Sequence, residues 1–454
     1  MQSRIDHDRL AEELAASIEG QVLRPGTDGF EGAAGLWSNQ SPERPALIVR
    51  VGSAADVLRV LQAVPVTVPV SVRGQGHDWA GRAHADGGVT IDLSALRDVT
   101  IDADARTARV QGGARLEDLV DAAAAHGLAA AVGTVNEVGA VGLTLGGGYG
   151  PYLGTLGLAA DNIVSAEVVL ADGSLVTASA DENPDLLWAL RGGGGNFGVV
   201  TSLEISLADL PTVLAGAMAF PIDAMRQVLT SLAGLYPVLP DGLSVAPAIT
   251  TGPDGTPTLL VSVNWQGDPD EGAGWVQKLE QLADPLMSGI RPVTPSEALH
   301  ALDGMFPAGR HYTLRTVSLP GLTPAVVDAL VEGEGRRESP FTAVNIHHFH
   351  GAATRADPDR SAWALREPHL MVELIATTPD AADHPDEVAW ADRLLEELRP
   401  HGLAAAYPNL LPSSDIARSR ATFGHHLERL HEIKVDVDPH GRFSAIPIGL
   451  PDAT

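Results

Sequence analysis

A chain of 454 residues is long enough for two large domains or three ordinary ones, and at this length forming a core is not the limiting problem. A formal charge of −28 repels phosphate backbones, and neither of the two lysines, Lys278 and Lys434, follows a glycine; nucleic acid is a poor partner and Walker-type nucleotide hydrolysis is excluded. The absence of cysteine removes disulfides, zinc-thiolate and iron–sulfur sites, thiol catalysis and any cofactor bonded through sulfur.

Residues 1–20 carry an amphipathic pattern (Leu10, Leu14, Ile18) with acids and bases mixed, unlike a signal peptide. No apolar run approaches the roughly 18 residues that cross a bilayer, so a soluble cytoplasmic protein without a membrane partner is expected. Strands are expected over 46–51, 67–72, 89–92 and 107–111, and helices over 54–64 and 115–126. Asp172-Gly173 joins 164–170 to 175–178 as a hairpin, a short helix follows over 185–189, and 199–207 alternates as a half-buried strand does. After Pro211 the glycine clusters thin out. Helices are expected over 225–235, 269–282 and 323–334, and strands over 258–264, 342–350 and 370–377. This texture divides the chain into 1–207, a second α+β unit over 208–403, and a closing segment, 404–454, that packs back on the first and ends in Pro-rich coil.

Three glycine-rich passages carry the chemistry. In Arg73-Gly74-Gln75-Gly76-His77-Asp78 a strand runs into a loop whose backbone N–H groups can converge on a pyrophosphate; read alone, it is also an ordinary surface turn. Gly139-Ala140-Val141-Gly142-Leu143-Thr144-Leu145-Gly146-Gly147-Gly148 is too dense in glycine for a stable helix or strand, and too apolar for a linker, which suggests backbone lying close to a flat ligand. Gly193-Gly194-Gly195-Asn196-Phe197-Gly198 satisfies the dinucleotide pattern in spacing. A β pattern follows it where the Rossmann fingerprint needs a helix, so that reading fails.

Taken together, these passages resemble the FAD-linked oxidases of the vanillyl-alcohol-oxidase superfamily, specifically the berberine-bridge-enzyme-like branch. Gly157-Leu158-Ala159-Ala160-Asp161-Asn162, the passage from Asp185 to Gly192, Tyr407-Pro408-Asn409 and the closing Ile433-Lys434 with Asp438-Pro439 follow in the family's order, so the likeness spans essentially the whole chain. It implies an α+β, two-lobed PCMH-type flavoprotein, with an FAD lobe built from 1–207 and 404–454 and a substrate lobe, 208–403, bearing an antiparallel sheet. It also implies FAD bonded to His77 through the flavin 8α carbon. The family's frequent second tether, a cysteine, is replaced here by Val135, so His77 is expected to hold the flavin alone. Flavin contacts are implied at Arg73, Gly74, Gln75, Gly76, Asp78 and Gly81, at Gly133, Thr134, Val138, Gly139, Gly142, Thr144, Gly146, Gly147 and Gly148, and at Val200 and Asn409.

The resemblance implies hydride transfer from a small organic substrate to FAD, followed by reoxidation by O2 to hydrogen peroxide. Val138 stands where relatives admit or block oxygen, and a medium-sized valine fits an oxidase better than a dehydrogenase. Many relatives use a tyrosine pair as base. Tyr149 holds one of those places and Leu410 the other, which favours specialised metabolism over simple carbohydrate oxidation. Glu373 is the alternative base, with an exposed strand carboxylate as its bland reading. Along a strand, His348 and His350 share one face while Asn345, His347 and Phe349 share the other; a cavity-lining imidazole there, His348, is a third candidate. His-x-His can also ligate a metal, but the family uses none and no metal is expected. His425, His426 and His431 fall in a helical stretch and read as surface or packing residues. Two further functions stay open: a flavin dehydrogenase passing electrons to another acceptor, and a non-catalytic FAD-binding scaffold.

Overall fold

The computed structural model describes residues 6–39 and 42–448. The extreme ends of the expected 1–207 and 404–454 segments, with the tip of the Pro-rich coil, lie outside the described residues.

The chain opens on the helix His7–Ser17, which buries Leu10 and Leu14 and is capped by Asp6. It leads to a four-stranded sheet in which Leu47–Arg50 and Val70–Arg73 both run parallel to Val89–Asp92, with Gln21–Leu23 antiparallel at one edge. The helix Ala54–Ala63 starts at Ser53, whose hydroxyl accepts from the Asp56 N–H, and buries Val57, Val60 and Leu61. The buried Asp56 carboxylate accepts N–H bonds from Glu19, Gly20 and Gly52 at 2.9–3.0 Å, tying the end of the first helix to this one.

A second, antiparallel sheet has five strands in the order Val99–Asp102, Thr107–Gln111, Val199–Ser206, Ile163–Val169, Leu175–Ala178. The glycine-rich passage between the strands Thr107–Gln111 and Ile163–Val169 departs from expectation. It contains a helix, Ala140–Leu145, because Gly139 and Gly146 flank it and only Gly142 lies inside. One interior glycine costs about 1 kcal/mol against alanine, and burial of Ala140, Val141 and Leu145 offsets that.

Residues 213–378 build a large antiparallel sheet around Val213–Pro221, Pro257–Trp265, Leu243–Thr251, Ala343–Phe349, His369–Thr378 and His311–Leu319, in that spatial order. The helices Met225–Leu235, Pro324–Glu334 and His384–Leu398 close one face, packing Leu229, Leu330 and Leu394 against Val261, Val317 and Val372. The opposite face turns Leu314, Asn345 and Glu373 toward the glycine-rich segments. Covered on both sides, the strand His369–Thr378 is buried along its whole length.

The closing segment is clasped onto the third glycine passage. The buried Lys434 ammonium donates to the carbonyls of Asn196 (2.6 Å) and Phe443 (2.7 Å) and to the Asp438 carboxylate. The Asn196 side chain accepts from the N–H groups of Ala445 and Ile446 and donates to the Gly193 carbonyl. The Arg442 guanidinium donates to the carbonyls of Leu61, Val64 and Ala171 at 2.9–3.0 Å. Phe443–Ile446 thereby come to lie beside Gly194 and Gly195.

Candidate active site

A cavity of about 360 Å³ lies where the three glycine passages meet the open face of the large sheet. That is within the usual range of a ligand pocket. Its wall takes residues 74–78 from the loop after Val70–Arg73, residues 133–135, 138, 139, 141–143 and 145 in and before the short helix, and Gly194, Gly195, Gly198 and Val200 from the third passage. Opposite stand Leu314, Asn345, His347, Glu373 and Ile375 from the sheet, with Tyr407, Asn409, Leu410 and 443–446 closing the ring.

On the loop side, His77 stacks on Trp37 at 4.5 Å, and Trp37 stacks in turn on Tyr312 at 3.9 Å. Burial pushes the His77 imidazole down to about 4, so the ring is neutral at physiological pH. Its Nε2 is buried with no hydrogen-bond partner among the described residues, as is the indole nitrogen of Trp79. Both side chains line the cavity, where a ligand can satisfy them. Gly142 lines the same cavity, and a Cβ there would meet nothing within 4 Å.

The loop is held from both ends. Asp78 accepts from Arg82, whose guanidinium also donates to the Asn409 carbonyl at 2.8 Å. Arg115 donates to the Gln75 side chain at 3.2 Å, and Gln75 donates onward to the Gly113 carbonyl. Arg73 lies behind the loop, donating to the carbonyls of Ala33 and Gly35.

On the sheet side, the Tyr149 hydroxyl donates to one Glu373 oxygen, and the Asn345 amide donates to the other at 3.2 Å. His347 Nε2 lies 3.3 Å from that second oxygen, close enough for an ion pair though not aligned as a hydrogen bond. Burial by itself would raise the Glu373 carboxyl. The nearby His347 ring and the bonds from Tyr149 and Asn345 outweigh it and hold the group below the ordinary carboxylate value. Burial and the Glu373 charge push the Tyr149 phenol well above its ordinary value. The Tyr407 ring stands edge-on to Tyr149 at 4.9 Å; its hydroxyl accepts from the Gly148 N–H, and burial raises it to about 12. A buried carboxylate fixed in its ionised form beside two neutral phenols can take up a proton from a ligand in this cavity.

Of the residues picked out from sequence, Gly74, Gln75, Gly76, His77, Asp78, Gly133, Thr134, Val138, Gly139, Gly142, Tyr149, Val200, Glu373 and Asn409 line the cavity. Arg73, Gly81, Thr144, Gly146, Gly147 and Gly148 do not. Gly146 is packed under the Asn409 amide, Gly147 against the rings of Trp363 and Tyr407, and Gly148 against Leu143 and Ala159, where side chains would collide. His348 is a correction: strand alternation turns it to the other face of the sheet, stacked on His350 at 4.2 Å and 4.6 Å from Tyr236. Burial drives it to about 3, leaving a neutral core imidazole. Its neighbour His347 occupies the cavity instead. His347, Asn345 and Tyr407 were not picked out as site residues, although the alternation that puts Asn345 and His347 on one face was readable.

Residues 45–179 match a family described as an FAD binding domain. Over 431 residues, 93% of this chain and 84% of the relative, the sequence is 30% identical to the FAD-linked oxidoreductase aurO of Gibberella zeae. It is 38% identical over 304 residues to (R)-6-hydroxynicotine oxidase of Paenarthrobacter nicotinovorans, 64% of this chain and 65% of that one. Among solved structures, 6-hydroxy-D-nicotine oxidase from Arthrobacter nicotinovorans superposes with a TM-score of 0.87 at 28% identity, covering 95% of this chain and 98% of that one. Xylooligosaccharide oxidase from Myceliophthora thermophila gives 0.85 at 25% identity, covering 98% and 100%.

Proposed function

Because the chain belongs to the FAD-linked oxidoreductases of PCMH type, in the berberine-bridge-enzyme-like branch of the vanillyl-alcohol-oxidase superfamily, we propose that it is an oxidase of a small organic alcohol or natural-product intermediate, with FAD bonded to His77 alone. One observation carries the reading: a single cavity is walled by the unpartnered His77 imidazole on one side and by the Tyr149–Glu373–His347 cluster on the other.

The residues present fit the cofactor. His77 is neutral and keeps a lone pair for a covalent bond, Gly142 leaves open space for a flat ring, and the backbone of 74–78 and 139 lies along the same wall. Without cysteine a second, sulfur tether is impossible. When bound, FAD supplies a two-electron acceptor whose electrons then pass to O2, giving hydrogen peroxide. The chain's own part is to orient the substrate and take its proton. Glu373 acts as base, directly or through the Tyr149 hydroxyl that donates to it, and His347 steadies the carboxylate. Asn345 holds the second carboxylate oxygen in place, and Ile375, Leu314 and Leu410 exclude water from the reacting end.

The names of the relatives give substrates as different as 6-hydroxynicotine and xylooligosaccharide. Leu410 in the wall, at the place of the family's second tyrosine, supports a substrate outside simple carbohydrates. The test is acid precipitation and intact mass of the purified protein, followed by peroxide measurement during turnover on a panel of alcohols. A yellow pellet with one FAD added to the chain mass, and peroxide equal to substrate consumed, supports the proposal. A colourless pellet at bare chain mass removes the covalent tether, and rapid dye reduction without peroxide makes the protein a dehydrogenase.

A further inference from the structure

Two of the histidines read as packing residues lie outside the cavity, beside a carboxylate from a remote part of the chain. His425 and His426 close the turn Gly424–His426 at the start of the helix Leu427–Val437. Asp359 stands on the turn Pro358–Arg360. One Asp359 oxygen lies 3.3 Å from His426 Nε2 and 3.6 Å from His425 Nε2, and ligand atoms of all three lie within 4.8 Å of one another.

His426 is 5% exposed, set edge-on to Trp188 at 5.2 Å, with Nδ1 3.3 Å from the Ala362 carbonyl oxygen. A carbonyl only accepts, so in the tautomer that bonds Ala362 Nδ1 carries the proton and Nε2 keeps its lone pair. That lone pair faces a carboxylate, which is also an acceptor. One proton cannot serve both contacts; the arrangement needs a second positive charge between Nε2 and Asp359, either a proton or a metal ion. The separations admit an ion: ligands at about 2.0–2.1 Å from a tetrahedral metal lie roughly 3.3–3.4 Å from one another, and here Asp359 lies 3.3 and 3.6 Å from the two imidazoles, with all three ligand atoms within 4.8 Å. The Ala362 carbonyl is the outer partner that fixes a metal-binding imidazole in its tautomer. Asp359 and His425 are mostly exposed, which gives an ion a path in and leaves a fourth position for water.

We propose that Asp359, His425 and His426 form a divalent transition-metal site of the zinc type. Two imidazoles and one carboxylate suit Zn²⁺, Ni²⁺ or Cu²⁺ and not the oxygen-seeking Mg²⁺ or Ca²⁺. The bound ion clamps the 358–362 turn to the C-terminal helical segment. Trp363, next along that turn, packs on Gly147, Gly192 and Tyr407 at the back of the cavity. The ion is thus structural and takes no part in oxidation.

The test uses the FAD-loaded protein, stripped with chelator and titrated with Zn²⁺ by calorimetry and with Co²⁺ by its visible ligand-field bands. Asp359→Ala and His425→Ala alter exposed side chains; melting of each at the wild-type temperature without metal shows that the fold is kept. The expected result is saturable binding of one Zn²⁺ per chain, weakened about tenfold or more in either variant, with a rise in melting temperature on Zn²⁺ addition in the wild type only. Absence of saturable binding, or equal binding by wild type and both variants, overturns the site and leaves the trio as a protonated imidazole–carboxylate contact.

Discussion

Tyr149 and Glu373, 224 residues apart in sequence, share one hydrogen atom on the cavity wall: the Tyr149 phenol donates to the Glu373 carboxylate. The two perturb each other in opposite directions: the Tyr149 bond helps hold the carboxyl low and the carboxylate charge helps hold the phenol high, so Glu373 is ionised and Tyr149 neutral near neutral pH.

Glu373→Gln keeps the shape and removes the charge. Loss of a general base lowers kcat by about 10²–10⁴-fold. Tyr149→Phe removes the hydroxyl through which a proton can pass to Glu373 and is expected to slow flavin reduction by less than the loss of the base itself. Anaerobic stopped-flow reduction of the flavin separates these effects from FAD loss. A Glu373→Gln protein reduced at the wild-type rate would eliminate the carboxylate as base.

His77→Ala removes the nitrogen and the ring stacked on Trp37. The chain mass then falls to that of the bare polypeptide, while dissociable FAD can still fill the cavity. Mass spectrometry of denatured protein reads this directly, and a variant still carrying FAD after denaturation would move the tether elsewhere.

Gly142→Ala is predicted to split stability from loading. The added methyl meets nothing in the protein and favours the helix by about 1 kcal/mol, so the cofactor-free chain melts higher. The same methyl projects into the ring space and lowers FAD occupancy. Melting temperature and absorbance ratio, measured on one preparation, check both halves; full occupancy at the wild-type ratio contradicts the placement.

Acid should unfold the protein through its buried histidines before its carboxylates matter. His348, lowered to about 3, and His369 and His384, lowered to about 4, are neutral when folded but take up protons below about 6.5 when unfolded. The unfolded state binds more protons in this window, so these three histidines make stability rise with pH from about 4 to 6.5 and add no further slope above it. Glu373 has the usual sign for a lowered carboxyl: its contribution is present above the unfolded carboxylate value near 4.3 and is lost as pH falls through its lower folded value. Denaturant melts between pH 4 and 8 measure the slope. His348→Phe should flatten it, and an unchanged slope would acquit that histidine.

Lys434→Met leaves the Asp438 carboxylate and two carbonyls buried without their cation, which costs about 3–5 kcal/mol. Because those bonds seat 443–446 against the third glycine passage, FAD occupancy should fall with stability. Calorimetry and the flavin spectrum test the pair of effects together.

Much of the molecule was readable from the chain. Alternation and turn chemistry put strands and helices near their true positions from Leu47 to Ser206, and the helix Met225–Leu235 fell on its expected bounds. The strands Val213–Pro221 and Leu243–Thr251 were not foreseen: the first is rich in alanine and glycine, and the second carries Pro247, which argues against a strand between two others. Tertiary pairing overrides both local signals. Glu373 was legible as a carboxylate on a strand, whereas the choice between His347 and His348 rested on which face the sheet turns inward. That depends on helices far along the chain, among them His384–Leu398, itself unforeseen. The glycines of 146–148 misled for a related reason, since their need for small size comes from Asn409, Trp363 and Tyr407, remote in sequence.

The stack of His77, Trp37 and Tyr312 joins the loop of the first sheet to an edge strand of the large one through a single column of rings. Whatever tilts the large sheet on substrate entry must tilt that column, and the cofactor's anchor with it. The indole in the middle therefore becomes a reporter once the chain's other six tryptophans are replaced by phenylalanine: its emission, quenched by energy transfer to a bound flavin, then registers relative motion of the two halves of the molecule.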